Sequence, residues 1–349
     1  MTTPDGKRRQ PRAAWVLPLV AVVSALAIVA AGTVGAFALS RPVVAPTRVS
    51  DAPLPRTACP SNLAALCAAT REPTPTPDPA LAFDAARALA HVRTLAAMGA
   101  RAGGSIVESR AVGYVRAQLT AMGYESRIET VPLPGGKDTH NVVAMKQGSG
   151  PGVVVIGAHL DSKKPSPGAN DNASGVGVML ELARVMKTRP ASASIEFVAF
   201  GCEETMFAGS TEHHFGSRAH AAALRSARSD DRIAMFSVDM VGVGSTFAVR
   251  TMDKGPQGMR RELLAYAKKT KVKLTYVKDT AKTGSSDHEA FELAGEPAVW
   301  LQWREDPNYH TVRDTASRLV KAKVAAAGKL IAGFLDGVDD ARIADWYVR

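Results

Sequence analysis

Between residues 124 and 303 the chain repeatedly breaks into short apolar runs closed by polar or glycine-containing segments. The runs VVVIGA (153–158), IEFVAF (195–200), IAMFSV (233–238) and AVWLQW (298–303) carry few polar positions. Such runs predict strands buried on both faces of a sheet. YESRIETV (124–131), HNVVAMKQ (140–147) and VKLTYVK (272–278) predict further strands. Residues 80–98 are alanine-rich with apolar positions at helical spacing, and 106–122 predict a second helix closed by Gly123. In the segment 175–187, Val176, Met179, Leu180, Ala183 and Met186 fall on one helical face, and residues 314–336 are also helical in pattern. No internal repeat is present. Strand–helix alternation predicts one α/β domain over 80–340, with a covered, mixed, mostly parallel sheet. Ligands of such folds gather beyond the carboxyl ends of the strands, so chemistry is expected just after each apolar run.

The amino-terminal part follows a different pattern. Residues 15–39 hold 25 positions without a charge, enough to span a bilayer as a helix. Lys7, Arg8, Arg9 and Arg12 precede them in a basic tail, residues 1–14. The positive-inside rule then holds the tail in the cytoplasm and puts the rest outside, as a single-pass membrane protein. A cleaved signal peptide is the alternative, with Ala36-Phe37-Ala38 as a cleavage site and a secreted product, although the run exceeds the usual h-region. Residues 40–79 form a proline-rich extracytoplasmic linker; nine of the 21 prolines fall between 41 and 80, which predicts a semi-rigid, extended chain. Cys59 and Cys67 lie within it and either close a short disulfide loop or remain thiols. Cys202 stands alone and reads as a small buried residue.

Charge narrows the partners little. The net charge is +10, of which the first 14 residues carry +3. The chain has no arginine-rich tract and no alternation of aromatic and basic residues, so nucleic acid is not expected as a partner. The charge suits an anionic cell surface or solubility alone. Oligomeric state is left open.

Polar residues at the ends of the predicted strands change the picture. His159-Leu160-Asp161 follows the first apolar run; residues two apart leave a strand on one side, so Asp161 is placed to accept the His159 ring N–H. Asp171 lies in GANDNASG (168–175), where Asn172 or Ser174 could also cap the next helix. Asn172-Ala173-Ser174 matches a glycosylation sequon that a working site here would exclude. Glu203-Glu204 follows IEFVAF, Asp239 follows IAMFSV, and His310 lies in NYHTVRDT after the last run. Two imidazoles and three carboxylates suit a pair of zinc ions, one carboxylate bridging them, with a spare glutamate as general base. His213-His214 is read as lying on an exposed helix outside the metal site. Asp287 is read as a helix cap or a support for the site, and His91, His140 and His220 as structural or solvated. H-E-x-x-H, G-x-S-x-G, P-loop and G-x-G-x-x-G patterns are absent.

The ordered segments GAHLDS, GANDNASG, FGCEE, VDMVG, SSDHEAF and YHTVRDT resemble the co-catalytic zinc aminopeptidases, the family of aminopeptidase Y and the secreted bacterial leucyl aminopeptidases. The resemblance covers about residues 80–340 and is tightest over 153–315. It implies a phosphorylase/hydrolase-like three-layer α/β sandwich that binds two zinc ions. His159 and Asp239 would help bind separate zincs, Asp171 would bridge, and Glu204 and His310 would complete the shells. Glu203 would be the general base, Asp161 the group orienting His159, and Tyr309 a stabiliser of the oxyanion. The implied reaction removes amino-terminal residues from peptides or proteins through a metal-activated water. Several secreted members have arginine where this chain has Ser285, which leaves contacts to the far end of the substrate open. Cys202 replaces a frequent alanine, and no protease-associated domain is inserted. Glutaminyl cyclases, which resemble this fold and use one zinc, and a non-catalytic tethered ectodomain are the competing readings.

Overall fold

The computed structural model describes residues 82–205, 212–228 and 231–348. The basic tail, the segment 15–39, the linker and Cys59 and Cys67 lie outside the described residues. Among the described residues no helix is long and apolar enough to cross a membrane.

The apolar runs form the middle of one eight-stranded sheet. Its strands are β1 (Ser126–Leu133), β2 (Lys137–Lys146), β3 (Val153–His159), β4 (Ser194–Phe200), β5 (Ile233–Val238), β6 (Thr246–Arg250), β7 (Thr275–Tyr276) and β8 (Ala298–Arg304). The spatial order is β1-β2-β4-β3-β5-β8-β6-β7. β4, β3, β5 and β8 run parallel, while β1, β2 and β6 join antiparallel on either side. Every residue of β3, β4 and β5 is buried, as their continuous apolar runs require.

Period-two alternation sorts these side chains into two cores. Val154, Ile156 and Ala158 of β3 face helices α1 (Ala85–Ala97), α2 (Ile106–Ala121), α3 (Ser174–Met186), α5 (Gly258–Lys269), α7 (Lys321–Phe334) and α8 (Asp340–Trp346). Val153 and Val155 face α4 (Phe215–Ala227) and α6 (His288–Leu293). The result is the expected three-layer α/β sandwich. The domain runs past residue 340, because Ile343 and Trp346 of α8 pack into the larger core. Residues 272–278 yield only the two-residue β7, and residues 314–320 are not α-helical before α7 begins. β6 has too few residues for its alternation to stand out in the sequence.

One buried ionic cluster ties the edge of the sheet to α4. His220 Nδ1 lies 2.9 Å from Glu129 Oε2 and its Nε2 3.3 Å from Glu196 Oε2. Arg127 reaches both carboxylates, at 2.9 and 3.1 Å. Burial acts to lower the His220 pKa, but the bonds to Glu129 and Glu196 outweigh it and raise it to about 9. His220 is thus a structural cation, 1% exposed. His91 bonds Tyr114, also a structural contact, and His140 is half-buried on β2.

His220→Ala is expected to cost about 3 kcal/mol, because it removes the buried cation between Glu196 and the half-buried Glu129 and leaves only the exposed Arg127 to offset them. The folded pKa exceeds the unfolded one, so the stabilisation is complete below about pH 6.5 and lost as pH rises through about 9. Urea unfolding across that window checks both; a flat profile in the parent chain excludes the imidazolium.

Candidate metal centre and active site

The parallel strands deliver their polar termini to one end of the sheet. His159 closes β3, Glu203 and Glu204 follow β4, and Asp239 follows β5. Asp171 comes from the irregular turn before α3, where the Asp171–Asn172 peptide is cis. Side chains fix that turn in place. Asp314 takes the N–H groups of Asn170 and Asp171 at 2.7 and 3.1 Å. Asn170 Oδ1 accepts from Gly242 and Val243, beyond β5. Asn172 Oδ1 accepts the Gly175 N–H at 2.8 Å, the capping role expected of it. Asn172 is fully buried, so the sequon offers no site for a glycan. Gly175 is required here because a Cβ would strike the Val238 carbonyl.

The Glu203-Glu204 segment is held still more tightly. Four consecutive N–H groups meet side-chain oxygens: Gly201 to Asn141 Oδ1 at 3.0 Å, Cys202 to Glu108 Oε1 at 3.2 Å, Glu203 to Asp161 Oδ1 at 2.9 Å and Glu204 to Asp161 Oδ2 at 3.1 Å. Asp161 Oδ1 is also 3.4 Å from His159 Nδ1. It therefore touches the imidazole it was expected to orient and also anchors the glutamate pair. Cys202 is a buried free thiol in a left-handed conformation, φ 49°.

All five expected metal ligands come together. His159 Nε2 lies 3.1 Å from Asp171 Oδ1 and 3.4 Å from Asp239 Oδ1. His310 Nε2 lies 3.1 Å from Asp171 Oδ2 and 2.8 Å from Glu204 Oε1. Asp171 is thus common to two groups of donors. Tetrahedral zinc with bonds of about 2.0–2.1 Å separates its ligand atoms by roughly 3.3 Å, close to these spacings. Asp171 Oδ2 and Asp239 Oδ1 are buried without a hydrogen bond of acceptable geometry, as atoms converging on a shared ion would be. The residues therefore fit zinc.

Without an ion, the histidines act as the counterions. Burial disfavours charge on His159, yet Glu203 and Asp239 hold its pKa well above the ordinary value. Burial also opposes charge on His310, but the bonds to Asp171 and Glu204 push it up to about 10. Burial and the charge of Asp171 raise Glu204 to about 8. Burial tends to raise Glu203 too, but His159 and His214 keep it below the usual carboxylate range. Asp239 accepts a bond from Ser286 at 2.9 Å. Asp287 does not cap α6 with its side chain; it is wholly buried, and burial together with Glu203 raises it to about 7.

The histidine pair His213-His214 is not exposed, contrary to the sequence expectation. The chain returns against 201–203, with His214 N–H on the Glu203 carbonyl and Phe215 N–H on that of Cys202. This places His214, 2% exposed, inside the molecule. Its Nε2 is 2.9 Å from Glu203 Oε1 and its Nδ1 2.6 Å from Glu289 Oε2. Arg218 grips Glu289 in turn, at 2.8–3.0 Å. Both ring nitrogens meet carboxylates, so His214 supports Glu203 from one side and is held by Glu289 on the other. His213 bonds Thr283. The helical pattern after residue 214 was the only sequence signal near this contact, and it pointed outward.

A cavity of about 340 Å³ opens over the cluster, with His159, Asp171, Glu203 and Asp239 on its floor and Tyr309 on its wall. Tyr309 is 48% exposed and stacks on His310, ring centroids 3.6 Å apart.

The profile of peptidase family M28 matches residues 141–335, more than half of the chain, and the chain belongs to that family. Aminopeptidase YwaD of Bacillus subtilis is 33% identical over 207 residues, covering 55% of this chain and 43% of its own length. The chain spans about half the length of the curated relatives it matches. The structure of BSAP, a zinc aminopeptidase from Bacillus subtilis, superposes with a TM-score of 0.65 at 20% identity, over 73% of this chain and 95% of that one. Fimbriiglobus ruber glutaminyl cyclase superposes equally well, with a TM-score of 0.65 at 22% identity and the same coverage of 73% and 95%. The fold is therefore shared by both kinds of enzyme.

Zinc binding at pH 7 is expected to release protons, since His310 must lose the one it holds in the metal-free chain. Affinity should rise with pH as that competition fades. Asp171→Asn should weaken binding more than Asp239→Asn, because only Asp171 meets both histidines. Calorimetry in buffers of differing ionisation enthalpy reads both; equal effects of the two substitutions contradict a shared Asp171.

Proposed function

We propose that the chain is a zinc aminopeptidase that releases amino-terminal residues from peptides. The observation that carries this reading is Asp171, common to the His159–Asp239 and His310–Glu204 groups, with Glu203 facing the same cavity. His159, Asp171 and Asp239 would hold one zinc, and Asp171, Glu204 and His310 a second. Zinc there would supply an acidified water and a Lewis acid for the scissile carbonyl.

The chain's own residues do the rest. Glu203, ionised and buried, accepts the water's proton and returns it to the departing amine. His214 and the Glu203 backbone bond to Asp161 keep its carboxylate aimed into the cavity. Asp161 sets the tautomer of His159. The Tyr309 hydroxyl donates to the oxyanion as the carbonyl becomes tetrahedral. The carboxylate-rich floor favours a free ammonium group, which directs cleavage to the first peptide bond. The same reading carries residues 15–39 as a signal-anchor, which leaves the catalytic domain outside the cytoplasm; the support is their lack of charge and the basic tail before them.

Incubating the zinc-loaded chain with free and amino-terminally acetylated peptides tests the reading. Stepwise loss of residues from free peptides alone is expected by mass spectrometry. Loss of ammonia from amino-terminal glutamine would replace it with the cyclase. Glu203→Gln should retain zinc and lower turnover by about 10²- to 10⁴-fold. His214→Gln should lower kcat by about 10- to 100-fold at unchanged zinc content; a normal kcat removes His214 from the mechanism.

A further inference from the structure

The cavity has a second end that the metal chemistry does not use. Arg250, the last residue of β6, lines it together with Trp300 and Gln302 of β8. Register fixes its distance from the floor. Arg250 is the cross-strand neighbour of Trp300, and Trp300 of Ser237, two residues before Asp239. Two strand spacings separate Arg250 from β5, roughly 9–10 Å. An amino-terminal dipeptide spans about 7 Å of backbone, and side chains cover the remainder.

Arg250 is built to keep its charge while leaving donors free. Its guanidinium carbon lies 4.3 Å from the centre of the Trp300 ring, which supports the cation from one face. Nη1 donates to Gln302 at 3.3 Å and Nη2 to Asp279 at 3.2 Å. Its Nε has no partner. Five N–H donors thus make two bonds. Asp279 is the ion-pair partner of Arg250 and also accepts from the Ser285 N–H and hydroxyl at 2.7 and 2.8 Å, so it holds one edge of the guanidinium and leaves the other N–H groups to a ligand. The carboxylates at the rim are engaged elsewhere: Glu305 by Ser245 and Thr246, Asp306 by Asn170 and Asn308. The side chain is 14% exposed, enough for contact with a ligand but with little competing water.

We propose that Arg250 forms a carboxylate-binding subsite, so that the chain prefers peptides with a carboxylate on the first or second residue. The carboxylate is either the free C-terminus of a dipeptide or an acidic side chain. The orientation of the substrate, ammonium on the metal floor and carboxylate on Arg250, rests on the aminopeptidase reading.

Calorimetry on the full-length, zinc-loaded Glu203→Gln protein tests this without turnover. Leu-Leu, Leu-Leu amide and Glu-Leu amide are the probes. Leu-Leu binding about 10- to 100-fold tighter than its amide identifies the C-terminal carboxylate. The same margin for Glu-Leu amide over Leu-Leu amide identifies the side chain. Adding Arg250→Met should bring the favoured ratio close to one, and Arg250→Lys should retain part of it; the neutral amide reports that each variant still has a formed pocket. Ratios near one in the starting protein, ratios untouched by Arg250→Met, or no binding of any probe overturn the subsite. Turnover by the chain with Glu203 intact judges the other reading separately. Selective binding without hydrolysis leaves Arg250 standing and removes the peptidase, while hydrolysis with flat ratios does the reverse.

Discussion

Parallel strands that end together bring their polar termini together, and here most of those termini are carboxylates. Asp161, Glu203, Glu204 and Asp239 follow β3, β4 and β5, and Asp171 joins them from the turn before α3. All are buried or nearly so. Such a concentration of negative charge in low dielectric is unfavourable unless positive partners are equally fixed. The histidines supply part of the compensation, and Arg101 supplies another. Arg101 is fully buried; its guanidinium donates to the carbonyls of Leu160, Leu95, Pro167 and Gly168. Burial lowers its pKa to about 10, against the pull of Asp161 and Asp171, so it stays charged at neutral pH. One side chain thereby staples the His159–Asp161 strand end to the Gly168 turn that carries Asp171. A cation that binds between them completes a balance the fold has already begun.

The parts of this structure legible in the sequence are those governed by short-range pattern. The both-faces-buried strands announced themselves as unbroken apolar runs; His159 and Asp239 stand one residue past their runs and Glu203-Glu204 three and four past theirs, while Asp171 and His310 lie farther along in loops. Asp161 was legible because it lies two residues from His159, on the same side of an extended chain. The parts that escaped depend on contacts across long separations. His214 meets Glu203 only because the chain doubles back along 201–203, and it meets Glu289 across 75 residues. Its left-handed conformation, φ 58°, turns inward a side chain that helical periodicity would point outward. Arg101 and Arg250 carry no local signature, since a buried arginine and a surface arginine look alike until the carbonyls or the ring they meet are known. β6 was missed for a different reason: five residues offer too little alternation to rise above its surroundings.

Fold likeness stops short of chemistry in this architecture. A zinc aminopeptidase and a glutaminyl cyclase superpose on the chain with the same TM-score. Both the sheet and its helices are therefore indifferent to the reaction, and the distinction lies in the site residues the fold carries. Here Asp171 has one oxygen toward each histidine. That arrangement requires a carboxylate on a rigid turn, and the bonds from Asp314 and Asn170 explain how an irregular segment is kept rigid enough to supply it.

The two ends of the cavity then make a single electrostatic statement. One end is a floor of carboxylates set for cations, whether a metal or an ammonium; the other presents a guanidinium backed by an indole. A ligand with positive charge at one end and negative charge at the other matches both, and a ligand lacking either charge leaves a polar group desolvated without a partner. Short zwitterionic peptides have this pattern. The strand order itself sets the required length, because β5 and β6 are held apart by β8 alone. Selectivity for small substrates would in this way follow from sheet register.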